Sequence, residues 1–243
     1  MTEKIRACFF DLGNTLNNDL LLTEKSVEAM GAWLKERGHY GAPKKFEETY
    51  NKIHQGIKTS FYSHTFGETE FFHRTFERLG ISGISPEEAL PVYRDFVVKH
   101  GSLDPRVQAS LDFLRSRGIK CAILSNERTA RVHSYLETTG ILSRFDAVIV
   151  SEAVGVEKPH PEIFQHALQQ LNIPLEQAAS TLMFGDNSIA DGACRQLGMI
   201  FVLVTGYKSH RWYFEQGRDF APDYEIDFVT PENLQRLLDS IQR

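Results

Sequence analysis

Five short apolar runs recur along the chain, at Ala7–Phe10, Cys121–Leu124, Ala147–Val150, Leu182–Phe184 and Ile200–Val204. Each is too short for a helix, is rich in Val, Ile, Leu or Phe, and ends in small or polar residues. Unbroken apolar runs of this length predict strands buried on both faces, as in a parallel sheet. Helical periodicity fills the intervals. Val107, Leu111 and Leu114 share one face, with a stop at Gly118. Val132, Tyr135 and Leu136 share another, ending near Gly140, and Ile163, Phe164, Ala167, Leu168 and Leu171 form a third, opened by Pro161. The alternation of strand and helix predicts an α/β class protein with a doubly wound parallel sheet.

One stretch breaks the rhythm. From Thr15 to about Lys99 only helical patterns occur. Val27, Met30, Trp33 and Leu34 form a stripe stopped by Gly38. Phe71, Phe72, Phe76 and Leu79 form a second, stopped by Gly80. Pro86 and Glu87 open a third that carries Leu90, Tyr93 and Val97. A helical module inserted just after the first strand explains the pattern, which divides the chain into a core of residues 1–16 and 100–243 and an insert of residues 17–99.

Composition narrows the function classes. Lys and Arg number 27 against 32 Asp and Glu, a net charge of −5, which argues against a nucleic-acid partner. The longest apolar run, Met199 to Val204, falls far short of a membrane span. No signal-peptide pattern precedes the first strand. The three cysteines, Cys8, Cys121 and Cys194, lack CxxC spacing and read as reduced thiols of a cytoplasmic protein.

The polar residues that end the strands carry the chemistry. Asp11 follows the first strand; alone, it would be an ordinary turn-starting residue. Ser125 and Asn126 end the second strand. Lys158 lies in a loop before a helix, and Gly185-Asp186 ends a later strand, with Asp191 five residues on from Asp186. In a parallel sheet the carboxyl ends of the strands share one edge, where α/β proteins bind ligands. The residue types are coherent there. A carboxylate attacks phosphorus to give an acyl phosphate, carboxylates hold Mg²⁺, and a hydroxyl and an ammonium hold phosphoryl oxygens as charge builds.

These residues, as Phe10-Asp11-Leu12-Gly13-Asn14-Thr15-Leu16, Leu124-Ser125-Asn126, Lys158-Pro159 and Gly185-Asp186 with Asp191, resemble the four motifs of the haloacid dehalogenase-like hydrolases. The resemblance spans about Arg6 to Thr205. It implies a Rossmann-like core with a helical cap of the family's first cap class. It further implies Asp11 as nucleophile, Lys158 as the neutralising cation, and Ser125, Asn126 and Thr15 as substrate-binding groups. Asp11, the carbonyl of Gly13 and Asp186 would hold Mg²⁺, with Asp191 holding Lys158 or a metal-bound water. The implied activity is Mg²⁺-dependent hydrolysis of a small phosphate monoester through a phospho-Asp11 intermediate. A homo-oligomer is compatible with the chain.

The first motif departs from the family's. The usual second Asp, which protonates the leaving group and then activates water, is replaced by Gly13. A backbone carbonyl still binds metal, but glycine transfers no proton. Asp19, Glu127 and His160 lie near motifs in the chain and are candidate substitutes. A catalytically silent phosphate-binding or regulatory protein is the alternative from another class. Dehalogenation is a weaker one, because dehalogenases of the family carry Tyr at this position and use no Mg²⁺. Gly198 follows Asp191 one residue earlier than the common pattern, which alters the phase of the turn between them.

Other features are expected to be structural. The insert's aromatics, Phe61, Tyr62, Phe66, Phe71, Phe72 and Phe76, suit packing, and Lys44, Lys45, Lys52 and Lys58 suit a solvated helix face. His54, His64 and His73 lack metal-ligand spacing. Tyr207, Lys208, Arg211 and Trp212 follow the fifth strand and border either the site or the surface.

Overall fold

The computed structural model describes residues 4–58, 68–101, 103–207 and 220–242. Phe61, Tyr62, His64, Phe66, Lys208, Arg211 and Trp212 lie outside the described residues, as does the side chain of Lys58. The chain forms two compact units, one of Met1–Asn18 with Ser102–Arg243 and one of Asp19–Gly101.

The first unit is built on a six-stranded sheet: β1 (Ala7–Phe10), β2 (Lys120–Ser125), β3 (Ala147–Val150), β4 (Thr181–Gly185), β5 (Ile200–Val204) and β6 (Tyr224–Ile226). The spatial order is β3-β2-β1-β4-β5-β6, and every pairing is parallel. β1 is central and wholly buried. Its register sets Phe10 beside both Ile123 and Phe184, so the residues after β1, β2 and β4 emerge together at one edge.

The sheet is covered on both faces, as its unbroken apolar strands require. Cys8 and Phe10 pack with Val107, Leu111 and Leu114 of α5 (Pro105–Ser116), Val132 and Leu136 of α6 (Thr129–Thr138), and Leu234, Leu237 and Leu238 of α9 (Pro231–Ile241). Ala7 and Phe9 face the other way, toward Ile163, Phe164, Ala167 and Leu168 of α8 (Pro161–Gln170). A short helix, α7 (Ser151–Val154), follows β3. Asp104 caps α5 by accepting a hydrogen bond from the Arg106 N–H, and Pro105 supplies the first turn. β6 and α9 were not predicted. β6 has only three residues, none of them buried. α9 buries just Leu234, Leu237 and Leu238, with Ile241 partly buried, in a largely polar segment.

The second unit contains α1 (Asp19–Glu36), α2 (Pro43–Lys58), α3 (Glu68–Leu79) and α4 (Pro86–His100), with no strand among its described residues. Val27, Met30 and Leu34 pack with Phe46, Tyr50, Phe71, Phe72, Phe76, Leu90 and Tyr93. Phe72 lies 5.0 Å from Tyr50 and 5.3 Å from Tyr93 between ring centroids, so the described aromatics are core. A capping box between Ser85 and Glu88 starts α4. Lys44, Lys45 and Lys52 are exposed on α2. His54 is buried edge-on to Phe71 at 4.8 Å, and His73 bonds Glu87. Among the described residues no helix is long and apolar enough to cross a membrane.

Candidate active site

Asp11 is the first residue past β1. Its N–H donates to the Phe184 carbonyl at 2.9 Å, extending the pairing with β4 by one step before the chain turns. The turn is tight. Leu16 N–H reaches the Leu12 carbonyl at 3.1 Å, Asn14 takes a left-handed backbone with φ 54°, and Gly13 pairs with Asn17 in an isolated parallel bridge. Asparagine tolerates that conformation better than most side chains. Thr15 is buried in this turn, and its Oγ1 has no hydrogen-bond partner among the described residues.

Lys158 lies in the loop between α7 and α8, yet only 4% of it is exposed. Its Nζ donates to Asp11 Oδ1 at 2.8 Å and to Asp191 Oδ1 at 2.5 Å. Burial alone would pull this ammonium's pKa down, but the two carboxylates outweigh burial and hold it above the usual lysine range. The Asp11 carboxyl is raised to about 6: burial is the largest cause, Lys158 opposes it, and the charge of Asp191 reinforces it. Asn126, just past β2, binds the main chain of Lys158 from both sides. Its Nδ2 donates to the Lys158 carbonyl at 2.7 Å, and its Oδ1 accepts from the Lys158 N–H at 2.8 Å. Ser125 is buried at the carboxyl end of β2.

Asp191 is held from its own loop. Its Oδ2 accepts from the Asn187 N–H at 3.0 Å, and Asn187 Oδ1 accepts from the N–H groups of Ile189 and Ala190. The segment Gly192–Leu197 is a 3-10 helix, tighter than an α-helix, and Gly198 closes it with φ 82°. The tighter winding accounts for the early glycine, and the contact between Asp191 and Lys158 forms. Gly185 makes room for this arrangement, because a Cβ on it would overlap the Asp191 carboxylate.

Asp11, Asp186 and Asp191 each bring a carboxylate oxygen within 4.8 Å of the others. Three carboxylates against one ammonium form a hard-oxygen, net negative cluster of the kind that suits a divalent cation. Asp191 is held through both of its oxygens, by Lys158 and by the Asn187 N–H.

The structure thus brings Asp11, Lys158, Asp186 and Asp191 together, and fixes Asn126 on the lysine. The candidate proton donors fare differently. Glu127 pairs with Arg131 at 3.2 Å, His160 is exposed ahead of α8, and Asp19 starts α1 in the helical unit. Three positioning features were not foreseen: the Asn126–Lys158 clasp, the turn built on Asn187, and the clearance at Gly185. Only the second had a local signal, an Asn in a Gly-Asp-Asn-Ser turn sequence.

Comparison with known proteins identifies the family. The family model of the haloacid dehalogenase-like hydrolases matches residues 5–193. The chain is 28% identical to glyceraldehyde 3-phosphate phosphatase of Methanopyrus kandleri over 230 residues, 92% of this chain and 93% of that one. It is 26% identical to phosphoglycolate phosphatase of Neisseria gonorrhoeae over 240 residues, 96% and 94% of the two chains. In fold it is similar to YfnB of Bacillus subtilis, solved with magnesium bound, at TM-score 0.72 and 21% identity, covering 98% of this chain and 100% of the other. With four motif segments gathered on one sheet edge and a family model matching most of its length, the chain belongs to the haloacid dehalogenase-like hydrolases.

Proposed function

We propose that this hydrolase cleaves a small phosphate monoester, with Asp11 as nucleophile and Mg²⁺ as the metal. The observation that carries the reading is Lys158 Nζ bridging Asp11 and Asp191, with Asp186 completing the acidic cluster. The phosphatase names of the two full-length relatives support it.

The Asp11 carboxylate attacks phosphorus, the ester bond breaks, and the alcohol leaves; water then attacks the acyl phosphate and releases phosphate and Asp11. Lys158 stays charged between its carboxylates, and its ammonium meets the negative phosphoryl oxygens. Ser125, Asn126 and the main chain of Thr15 are proposed to hold those oxygens, and Asp191 to hold Lys158 in place. Asp11, Asp186 and the Gly13 carbonyl would hold Mg²⁺, which when bound would neutralise charge on the transferring group. The helical unit is proposed to serve as the cap that selects the substrate, and the cytoplasm as the location.

Phosphate release from a panel of phosphomonoesters, run with Mg²⁺, with EDTA and with Asp11→Asn, tests the proposal. Release that both controls abolish is the expected result; an Asp11→Asn protein as active as the parent would sink the mechanism. Gly13 favours a second reading, a silent phosphate-binding protein, because a positioned acid or base is typically worth 10²–10⁴-fold. Folded protein that binds Mg²⁺ and turns over no ester would establish it. Chloride release from a 2-haloacid without Mg²⁺ would instead mark a dehalogenase.

A further inference from the structure

We propose that Asn17 and Thr15 hold a water molecule beside Gly13, and that this water transfers the protons for which residue 13 has no side chain. The inference rests on the phosphatase reading and extends it to the class of ester cleaved.

Two buried polar atoms carry the argument. Thr15 is 1% exposed and Asn17 is 5% exposed. Thr15 Oγ1 and Asn17 Oδ1 have no hydrogen-bond partner among the described residues. Buried polar atoms are rarely left unsatisfied, and ordered water is the usual remedy where the protein supplies no group. Both atoms lie in the turn that leaves Asp11. Gly13 and Asn17 are bridge partners in a parallel pairing, an arrangement that points paired side chains to the same face. A side chain at position 13 would therefore stand alongside that of Asn17. Glycine takes nothing from that side, and Asn17 Oδ1 and Thr15 Oγ1, both of the same short turn, are left unsatisfied.

Their chemistry orients a water. Asn17 Oδ1 only accepts, so it takes one water hydrogen. The Thr15 hydroxyl donates to the water oxygen. The second water hydrogen is left to point at the leaving-group oxygen. When Asp11 attacks and the phosphorus–oxygen ester bond breaks, the leaving oxygen keeps the bonding electron pair and takes that hydrogen. Hydroxide stays between Asn17 and Thr15. A solvent water then attacks the acyl phosphate, the bond between phosphorus and Asp11 breaks, and the proton lost by the attacking water converts the hydroxide back to water. One ester and one water become one alcohol and one phosphate.

Water is a far weaker acid than a carboxylic acid, so its proton arrives late and the leaving group carries most of the charge. The enzyme so equipped favours substrates with acidic leaving groups: enol or aryl phosphates, anomeric sugar phosphates, and the mixed anhydrides of acyl phosphates.

The test uses the full chain with Mg²⁺ and two aryl esters, p-nitrophenyl phosphate and phenyl phosphate, which differ in leaving-group acidity. The readout is the ratio of their kcat/KM values. Thr15→Val and Asn17→Leu are expected to raise the ratio of p-nitrophenyl to phenyl turnover at least tenfold. Thr15→Ser, which keeps the hydroxyl, is expected to return it to the parent value, and Gly13→Asp to lower it below the parent. Equal losses on both esters would overturn the water and show Thr15 and Asn17 to act on the fold alone, as would a Thr15→Ser protein that behaves like Thr15→Val. Failure of the unaltered protein to cleave p-nitrophenyl phosphate, which needs least proton transfer, would overturn the phosphatase reading itself.

Discussion

The side-chain amide of Asn126 and the main chain of Lys158 bind each other twice, at 2.7 and 2.8 Å, across 32 positions of sequence. Asn126 continues directly from the end of β2, so the sheet edge fixes where the lysine side chain begins. The ammonium then spans to Asp11 and Asp191. Asn126→Ala removes both bonds and leaves the Lys158 amide groups to find other partners. A stability loss of about 1–3 kcal/mol follows from two half-buried backbone groups. A displaced ammonium lowers kcat/KM by roughly 10²-fold, the cost typical of an ångström-scale misplacement. Denaturant melts and phosphate-release kinetics check the two separately; loss of stability with unchanged kinetics would confine the clasp to a folding role.

Gly185 makes a related prediction by a different cause. It sits in β4, and the constraint is space rather than backbone conformation, because an added Cβ would overlap the Asp191 carboxylate. Gly185→Ala pushes Asp191 away from Lys158 and from the Asn187 N–H. Overpacking of this kind costs about 1–3 kcal/mol. Activity falls with it, because Lys158 loses one of its two anionic partners. A variant that keeps both parental stability and parental turnover would mean that Asp191 has a second, equally good position.

The three cysteines are predicted to be silent toward thiol reagents. Cys8 and Cys121 are register partners on β1 and β2, and all three thiols are buried. Burial pushes the Cys121 thiol up to about 12 and raises Cys8 and Cys194 as well, so almost no thiolate exists at neutral pH. Ellman's reagent is expected to find no fast-reacting thiol in the native protein and all three in guanidinium. A rapid reaction with the native protein would place one thiol near the surface.

The legible parts of this molecule were those in which composition and position say the same thing. β1 to β5 announce themselves because strands buried on both faces must be apolar throughout. β6 escapes because its three residues are half-buried or exposed, and the buried side of α2 escapes because Phe46, Tyr50 and Ile53 are spread through a lysine-rich segment. At the site, Asp11 and Asp186 stand out as charged groups at strand ends, and Lys158 and Asp191 as charged groups in the loops that follow strands. What Asn126 and Gly185 do could not be read in the same way. One acts through the backbone of a distant loop and the other through a missing Cβ, and neither a backbone contact nor a clearance leaves a mark on local sequence.

The last prediction concerns Asp11 itself. In the metal-free protein burial outweighs the attraction of Lys158 and raises the Asp11 carboxyl from 3.8 to about 6. A carboxyl whose folded pKa lies above its unfolded value favours the folded state in its protonated form. That contribution is full below about pH 4 and is lost as pH rises through about 6. Above that window the ionised nucleophile is a burden of roughly 3 kcal/mol at most, taking 1.36 kcal/mol per pH unit. Asp11→Asn removes the burden. In EDTA at pH 7.5 the variant is therefore expected to be more stable than the parent, and near pH 4 the two should converge. Mg²⁺ should narrow or reverse the gap at pH 7.5, because a cation that binds the folded parent through Asp11 stabilises it by mass action and the neutral amide binds it less well. Denaturant melts of both proteins at the two pH values, with and without Mg²⁺, provide the check. A parent more stable than Asp11→Asn in EDTA at pH 7.5 would show that Lys158 prevails over burial, and that the ionised Asp11 is part of what holds this sheet edge together.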